Sequence, residues 1–585
     1  MDLTVTGEMM TAWLVLASIG ALLALLVHGR ISPSILFSLW GGGYLLAGQI
    51  EEKAYLSGFT NSALATLVVL LLVSLALERS PILEQLSKIL IRNGSPTAAV
   101  LRLTSVAALA SAFINNTAVV GAFLGMVSKQ RRVPASKLLI PLSYASIIGG
   151  VTTLVGTSTN LVVNSFAVNA GLPAFTMFQF SWVGVPLALV CVIVISMSSR
   201  FLPVHEMESR ECVQAYFLEA QVAQDSSLTG NTVEKNGLRS LDGLFLIEIL
   251  RNNHLISPVT PEMVIEAGDL LIFSGEVDRL QVIQQFDGLH VFGMQASALL
   301  ASNLVEVVIS SESELANRTL RDVDFRLMFD AGVVAIRRGD RRLTGQLGRI
   351  LLKVGDSLLL AVGQDFRQHR NLDRNFHILK GEGWRPRLGR VQNVIAVGGF
   401  GLVIALATFE RTTLLNGMLI LLATLLAAGI LKISELRRRF PFDLVMIIGS
   451  ALALATVLEN SGAANLIAQG MRTLFGGYSV IGAFVGVYLM TLVLTELVTN
   501  NAAAALAFPI ALSTARAFDV DPTAFVMVVA YGASAGFLMP FGYQTHLIVY
   551  SPGRYRIRDF LMAGLPVSLA YSACVLLLVP VFFPF

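Results

Sequence analysis

A chain of 585 residues with 42 Lys+Arg against 39 Asp+Glu is only 14% charged and 54% hydrophobic, where soluble proteins are about 25% charged. That excludes a purely soluble enzyme, and a net charge of +3 gives no basis for nucleic acid as a partner. The acidic residues are concentrated, 25 of the 39 lying between Glu206 and Glu382 and 14 elsewhere, so oily flanks enclose a water-soluble insert.

Met1–Gly7 carries Asp2 and no Lys or Arg, so the stretch Ala12–Val27 reads as an ordinary first span and not as a cleaved leader. About 20 apolar residues cross roughly 30 Å of hydrocarbon. On that measure the first flank (1–204) holds spans near 10–28, 31–50, 60–78, 137–167 and 181–200. Between the third and fourth lies 97–127, too long for one span and too short for two with a loop. Its middle, Asn115-Asn116-Thr117, puts polar backbone at membrane depth, which is tolerated only where protein or a watery cavity surrounds it. We read it as a re-entrant hairpin. The next span, 137–167, is broken by Gly149-Gly150-Val-Thr-Thr-Leu-Val-Gly156-Thr157-Ser158-Thr159-Asn160.

From Glu206 to Arg390 the pattern changes to short β runs and turns, and it repeats. Arg239-Ser-Leu followed by Gly268-Asp269-Leu-Leu-Ile-Phe-Ser-Gly275 matches Arg318-Thr-Leu followed by Gly355-Asp356-Ser-Leu-Leu-Leu-Ala-Val-Gly363. The insert is therefore two tandem α+β modules, 205–295 and 296–385. The GxGxxG phosphate signature is absent from it.

The second flank (386–585) repeats the first, with spans near 391–409, 413–431, 441–459, 522–550 and 561–583. The anomalous segment recurs at 479–511 around Thr499-Asn500-Asn501, and the span 522–550 is broken at Ala535-Gly536 and at Gly542-Tyr543-Gln544-Thr545-His546. Each half is three spans, a hairpin, a broken span and a last span. An odd number of crossings gives the two halves opposite orientation, the architecture of secondary transporters with midplane sites. Half-helix N-termini favour an anion, while carbonyl, Asn and Thr oxygens favour a small hard cation.

Basic residues test this topology, since cytoplasmic loops hold Lys and Arg. With the N-terminus outside and both hairpins returning to their own side, the inner short loops contain Arg30, Arg79, Lys88, Arg92, Lys129, Arg131, Arg132, Lys137, Lys432, Arg437, Arg438, Arg439, Arg554, Arg556 and Arg558. The outer loops hold Lys53, Arg411, Arg472 and Arg516. This places the insert, 205–390, in the cytoplasm.

The pairing of Ser111-Ala-Phe-Ile-Asn115-Asn116-Thr117-Ala118 with Thr495-Glu-Leu-Val-Thr499-Asn500-Asn501-Ala502, together with Gly156-Thr157 and Gly542-Tyr543-Gln544-Thr545, resembles the divalent anion/sodium symporter family. The likeness covers both flanks. Members of that family carry Ser-Asn-Thr at each hairpin tip; here Asn115 replaces the first Ser, and Thr499 and Asn501 replace Ser and Thr in the second. The run Gly542-Tyr-Gln-Thr-His-Leu-Ile-Val-Tyr-Ser-Pro-Gly-Arg-Tyr555 looks like the branch that carries sulfate in algae and cyanobacteria. The resemblance implies one sodium site from Ser111, Asn115, Asn116, Gly149 and Gly150, and a second from Thr495, Thr499, Asn500 and Ala533. It implies an anion site from Asn116, Thr117, Asn500 and Asn501 at the tips, with Ser158, Thr159, Gln544 and Thr545 nearby. No cofactor is expected beyond sodium as coupling ion.

The Gly-Asp-hydrophobic-Gly endings of the insert resemble the C-terminal module of potassium-conductance regulators, which implies pairing into a homodimer and a small regulatory ligand. The expected fold is a polytopic α-helical membrane transporter of the inner (plasma) membrane, with inverted repeats, two re-entrant hairpins and a cytoplasmic insert. Its expected function is sodium-coupled symport of a divalent oxyanion, sulfate first, by an elevator-like movement. A sodium- or proton-coupled dicarboxylate carrier is the alternative within transport, and a ligand-gated ion channel is the alternative from another class. Glu496, ionisable at membrane depth, suggests a proton relay or a structural bond to hairpin backbone, and its repeat partner is Ala112. His546, where the repeat partner is Asn160, suggests a substrate contact or a pH sensor. Cys191, Cys212 and Cys574 lie too far apart in pattern for a disulfide framework or a zinc site.

Overall fold

A computed structural model describes the chain except residues 1, 29–30, 82–94, 130–132, 205–216, 239–240, 242–243, 253, 257–258, 276–285, 293–303, 311–312, 344–346, 364, 367–368, 370, 380–387 and 476–478. Arg239, Cys212 and the basic residues Arg30, Lys88, Arg92, Arg131 and Arg132 therefore lie outside the described residues. Cys191 and Cys574 are free.

The flanks are helical and turned inside out relative to a soluble protein. Large apolar side chains such as Leu189, Leu569, Leu577 and Val581 face outward, while Ser143, Ser146, Thr159, Asn160 and Thr545 are buried. Outward apolar faces suit a lipid solvent, and polar groups inside must bond to each other. Among the described residues, seven helices are long and apolar enough to span: Met9–His28, Glu52–Leu77, Ser181–Phe201, Arg390–Thr408, Phe442–Asn460, Val480–Leu497 and Ile557–Phe582.

The second span of each half is shorter than its apolar run suggests, Pro33–Leu46 and Leu414–Ala427. Both end the same way: Ala47 and Ala428 are C-caps, and Gly48 and Gly429 follow at positive φ. A left-handed glycine there closes the helix by bonding back onto its last carbonyls, whatever the hydropathy beyond it.

The 97–127 segment is two helices, Pro96–Ser111 and Asn116–Lys129, joined by four residues. The 479–511 segment is likewise Ser479–Leu497 and Asn500–Ala517. The following spans are also interrupted, as Leu139–Gly150 with Ser158–Asn169, and Thr523–Ala533 with Gln544–Tyr550. Packing is reciprocal between the halves. Pro33–Leu46 packs on Phe442–Asn460 and Ser62–Leu77 on Leu414–Ala427, while Ser181–Ser198 packs on Ile557–Phe582. Asn116–Lys129 meets Gln544–Tyr550, and Asn500–Ala517 meets Ser158–Asn169.

The insert holds two five-stranded antiparallel sheets. The first comprises β1 (Phe217–Val222), β2 (Leu244–Arg251), β3 (His254–Ile256), β4 (Leu270–Gly275) and β5 (Leu289–Phe292), in the order β3-β2-β4-β1-β5. The second comprises β6 (Leu304–Ile309), β7 (Ala331–Arg338), β8 (Arg341–Leu343), β9 (Ser357–Val362) and β10 (Phe376–Ile378), in the order β10-β6-β9-β7-β8. Read from the other edge, the second order is the first. Even the register irregularity recurs, at Leu246/Glu248 and at Val333/Ala335.

The repeated Gly-Asp has a structural reason. Asp269 takes both Nε and Nη2 of Arg251 at 2.8 Å, and Asp356 takes both of Arg338 at 2.7 Å. The same carboxylates accept the backbone N–H of Glu266 and of Lys353. Bonding to the aspartates raises both guanidinium groups above their ordinary range, as charge-assisted bidentate pairing requires. The two sheets meet through Leu250, Leu270 and Ile272 against Leu304, Val334, Leu359 and Ala361.

The second sheet rests on the membrane part. Gly339 N donates to Ser551 Oγ at 3.1 Å, Ser551 Oγ donates to Gly355 O at 2.5 Å, and Arg556 Nε donates to Asp340 at 2.7 Å. Val308 and Leu379 join the apolar core of the flanks.

Candidate functional site

Four helix starts converge on one region: Asn116, Ser158, Asn500 and Gln544. The sequence explains each, because a polar or glycine-containing run interrupts an apolar stretch and leaves first-turn N–H groups without carbonyl partners. The two halves interlock through equivalent residues. Thr117 Oγ1 lies 3.4 Å from Gln544 Oε1, and Asn501 Oδ1 lies 3.5 Å from both Ser158 Oγ and Thr159 Oγ1. Thr545 is fully buried and sits 2.9 Å from Ser143 Oγ.

Asn116 is buried at the centre. One of its amide atoms lies 2.7 Å from Ser111 Oγ, 3.0 Å from Ser146 O and 3.3 Å from Gly156 O; the other lies 2.7 Å from Tyr543 Oη. With the amide oxygen toward Ser111, four oxygens face one another, an arrangement that suits a small cation. With the nitrogen there, the amide itself satisfies them. The residues present thus fit a hard cation without formal charge. Gly150 leaves room for this amide, since a Cβ on it would stand 2.4 Å from Asn116 Oδ1. Gly149 serves packing, for its Cβ would stand 2.1 Å from Ala108 O. Asn115 turns its Oδ1 to cap the next helix, accepting from Thr117 N at 2.9 Å.

In the second half Thr495 Oγ1 donates to Ala533 O at 2.5 Å and lies 3.1 Å from Asn500 Oδ1. Thr499 is the exposed N-cap of Asn500–Ala517 and makes no side-chain cap bond. Ser534 Oγ, next to Ala533, is buried and has no hydrogen-bond partner among the described residues.

Glu496 and His546 both hold the unwound stretch of the second broken helix. Glu496 accepts the N–H groups of Leu538 and Met539 at 2.8 and 2.9 Å. His546 is fully buried, its Nε2 is 2.8 Å from Gly536 O and so carries a proton, and its Nδ1 is 2.7 Å from Ser143 Oγ. Asn160, its counterpart, likewise donates to a carbonyl of its own break, Thr153 O at 2.8 Å.

Tyr543 stands in the Gly542-Tyr543-Gln544-Thr545 motif, but sequence assigns it no ligand role. Its hydroxyl bonds Asn116 and is within hydrogen-bonding reach of Thr157 and Asn500, joining both tips. The available signal was the repeat register, which pairs Gly542-Tyr543 with Gly156-Thr157. Ser146 was missed because a backbone carbonyl leaves no mark in sequence. Beside the first tip runs a cleft lined by Phe113, Asn115, Gly156 and Ser158 on one wall and by Leu70, Ser74, Leu77 and Phe400 on the other. It adjoins an apolar cavity of about 320 Å³ between Phe113-Ile114 and Val397–Ile404.

Residues 7–530 match the family model described as citrate transporter. The chain belongs to the citrate transporter family. It is 31% identical over 563 residues to an uncharacterised transporter of Synechocystis, covering 92% of this chain and 91% of that one. It is 29% identical over 555 residues to a putative sulfur deprivation response regulator of Chlamydomonas reinhardtii (90% and 94%). To sodium/sulfate cotransporter 1 of the same alga it is 24% identical over 739 aligned positions (89% and 84%). As a member of the citrate transporter family the chain is a polytopic helical membrane transporter and not an enzyme.

Proposed function

We propose that the chain is a sodium-coupled symporter of a divalent oxyanion, sulfate first, with two re-entrant hairpins and inverted repeats around one midplane site. The observation that carries this reading is the oxygen cluster of Ser111, Asn116, Ser146 and Gly156 beside converging helix starts, which provides for a cation and an anion at adjacent positions. In this reading Ser111 and Asn116 hold the first sodium, with Asn115 capping the helix start and Gly149 and Gly150 allowing the close packing around it, and Thr495, Thr499, Asn500 and Ala533 form the second site. Asn116, Thr117, Ser158, Thr159, Asn500, Asn501, Gln544 and Thr545 surround the anion. Reciprocal packing of equivalent helices supports the inverted repeat. The cleft and apolar cavity beside Phe113 support a sliding seam between a moving body and a scaffold. Glu496, with both oxygens bonded to backbone, favours sodium over proton coupling.

The names of the algal sodium/sulfate relatives support sulfate. A dicarboxylate or citrate is the second reading, favoured by the family's own description. The segregation of basic loops supports a cytoplasmic insert in the plasma membrane protein. The tandem sheets support a regulatory ligand and a homodimer.

Competition decides the anion. Labelled sulfate uptake into liposomes bearing the purified chain should fall with excess thiosulfate or molybdate and persist with excess succinate or citrate. The reverse order establishes the carboxylate reading, and fast cation conductance with no anion requirement establishes a channel.

A further inference from the structure

The Asn116 amide is satisfied by protein groups alone when its nitrogen faces Ser111, Ser146 and Gly156; the reversed orientation turns its oxygen toward other oxygens, and Tyr543 has a different role in each. With the nitrogen toward Ser111 Oγ, Ser146 O and Gly156 O, the amide oxygen faces Tyr543 Oη 2.7 Å away and accepts its proton. The phenol is then committed, and only its lone pairs face the space between the tips. With the amide oxygen inward it accepts the Ser111 hydroxyl and faces the Ser146 and Gly156 carbonyls, a gathering of oxygens that a cation among them would favour, and the amide nitrogen donates to Tyr543 Oη. The phenolic proton is then released from Asn116 and free to point between the tips, where Thr157 and Asn500 are its other neighbours.

We propose that turning of the Asn116 amide, relayed through the Tyr543 hydroxyl, is the link by which sodium prepares the anion site. This rests on the sodium-coupled oxyanion reading above. Sodium holds Oδ1 inward, the NH2 end takes the Tyr543 oxygen as acceptor, and the Tyr543 proton becomes a donor for an oxyanion lying at the helix starts of Asn116, Ser158 and Asn500. Without sodium the same hydroxyl donates backward and shows the anion its lone pairs. The motion is a rotation about one side-chain bond, and Gly150, with no Cβ to block the amide, leaves space for it. The linkage is reciprocal, so the anion must tighten sodium by the factor by which sodium tightens the anion. Tyr543 carries the link from the Asn116 amide to the anion: it lies outside the sodium shell and is a contact residue for the anion. The first half has Thr157 at the equivalent position and no phenol there, so the relay belongs to one half alone.

The test is equilibrium binding to the purified full-length chain, with ²²Na and ³⁵S-sulfate as probes, for the natural protein and Tyr543→Phe. In the natural protein sodium should tighten sulfate, and sulfate should tighten sodium by the same factor. In Tyr543→Phe, ²²Na binding without sulfate should stay within about threefold of the natural protein, while sulfate affinity at saturating sodium falls at least about tenfold, the worth of one hydrogen bond to a charged group. Sodium-dependent protection against heat, equal in both proteins, reads folding and the cation site independently of sulfate. Natural sulfate affinity and sodium dependence in Tyr543→Phe overturn the relay, as does loss of both ligands together, which marks the phenol as mere packing. A natural protein whose sulfate binding ignores sodium overturns the proposed function itself, a result read before any variant.

Discussion

At the scale of single residues, Asn116 and Asn500 are the side chains on which both proposed ligand classes depend. Asn116→Ala or Asn500→Ala should lower sodium-dependent uptake at least about tenfold, each removing a bond to a charged ligand, while the protein still reaches the membrane; radiolabelled uptake alongside surface quantification checks this. The glycines separate by what lies against them. Gly150→Ala drives a Cβ into the Asn116 amide, so sodium affinity should weaken with little change in yield. Gly149→Ala drives it into the Ala108 backbone, so thermal stability should fall by about 1–3 kcal/mol, the usual cost of overpacking. Glu496→Gln replaces an acceptor by a donor facing backbone N–H groups and should also lower stability, with sodium remaining the required cation at all pH values tested. A proton requirement that disappears in this variant restores the relay reading. The Asn tips were legible because uncharged amides in an apolar stretch need partners. Tyr543 was not, since an aromatic residue in a membrane segment reads as ordinary packing, and the Ser146 and Gly156 carbonyls were not, because every residue has one.

Among elements, the breaks at 151–157 and 534–543 and the helix starts at Asn116 and Asn500 were readable from glycine and paired polar residues. Helix length was less so: Gly48 and Gly429 end their helices through backbone conformation, which hydropathy does not weigh. In the insert, Gly-Asp was visible as a repeat, but its partners Arg251 and Arg338 sit 18 positions upstream and meet the aspartates only when β2 pairs with β4 and β7 with β9. Asp356→Ala leaves Arg338 without its bidentate partner and should open the second sheet, seen as faster proteolysis within the insert of the full-length protein. Removing one member of a partly buried pair costs on the order of 2 kcal/mol after allowance for the exposed side of the guanidinium.

For the whole molecule, the second sheet touches the end of the second broken helix and the segment that follows it. Gly339, at φ +59, would place a Cβ 2.7 Å from the Tyr550 ring. Gly339→Val is a wedge at that contact and should change the maximal rate of uptake with KM for the anion nearly unchanged; unchanged rates separate the insert from transport. The composition contrast with which the sequence opens is thus a contrast of solvents, lipid around the flanks and water around the sheets, joined at Ser551 and Arg556. The most direct test of the central claim is concentrative uptake of ³⁵S-sulfate by proteoliposomes under an inward sodium gradient. Accumulation above the outside concentration, abolished when potassium replaces sodium or a sodium ionophore collapses the gradient, is the predicted result; accumulation indifferent to sodium contradicts the account.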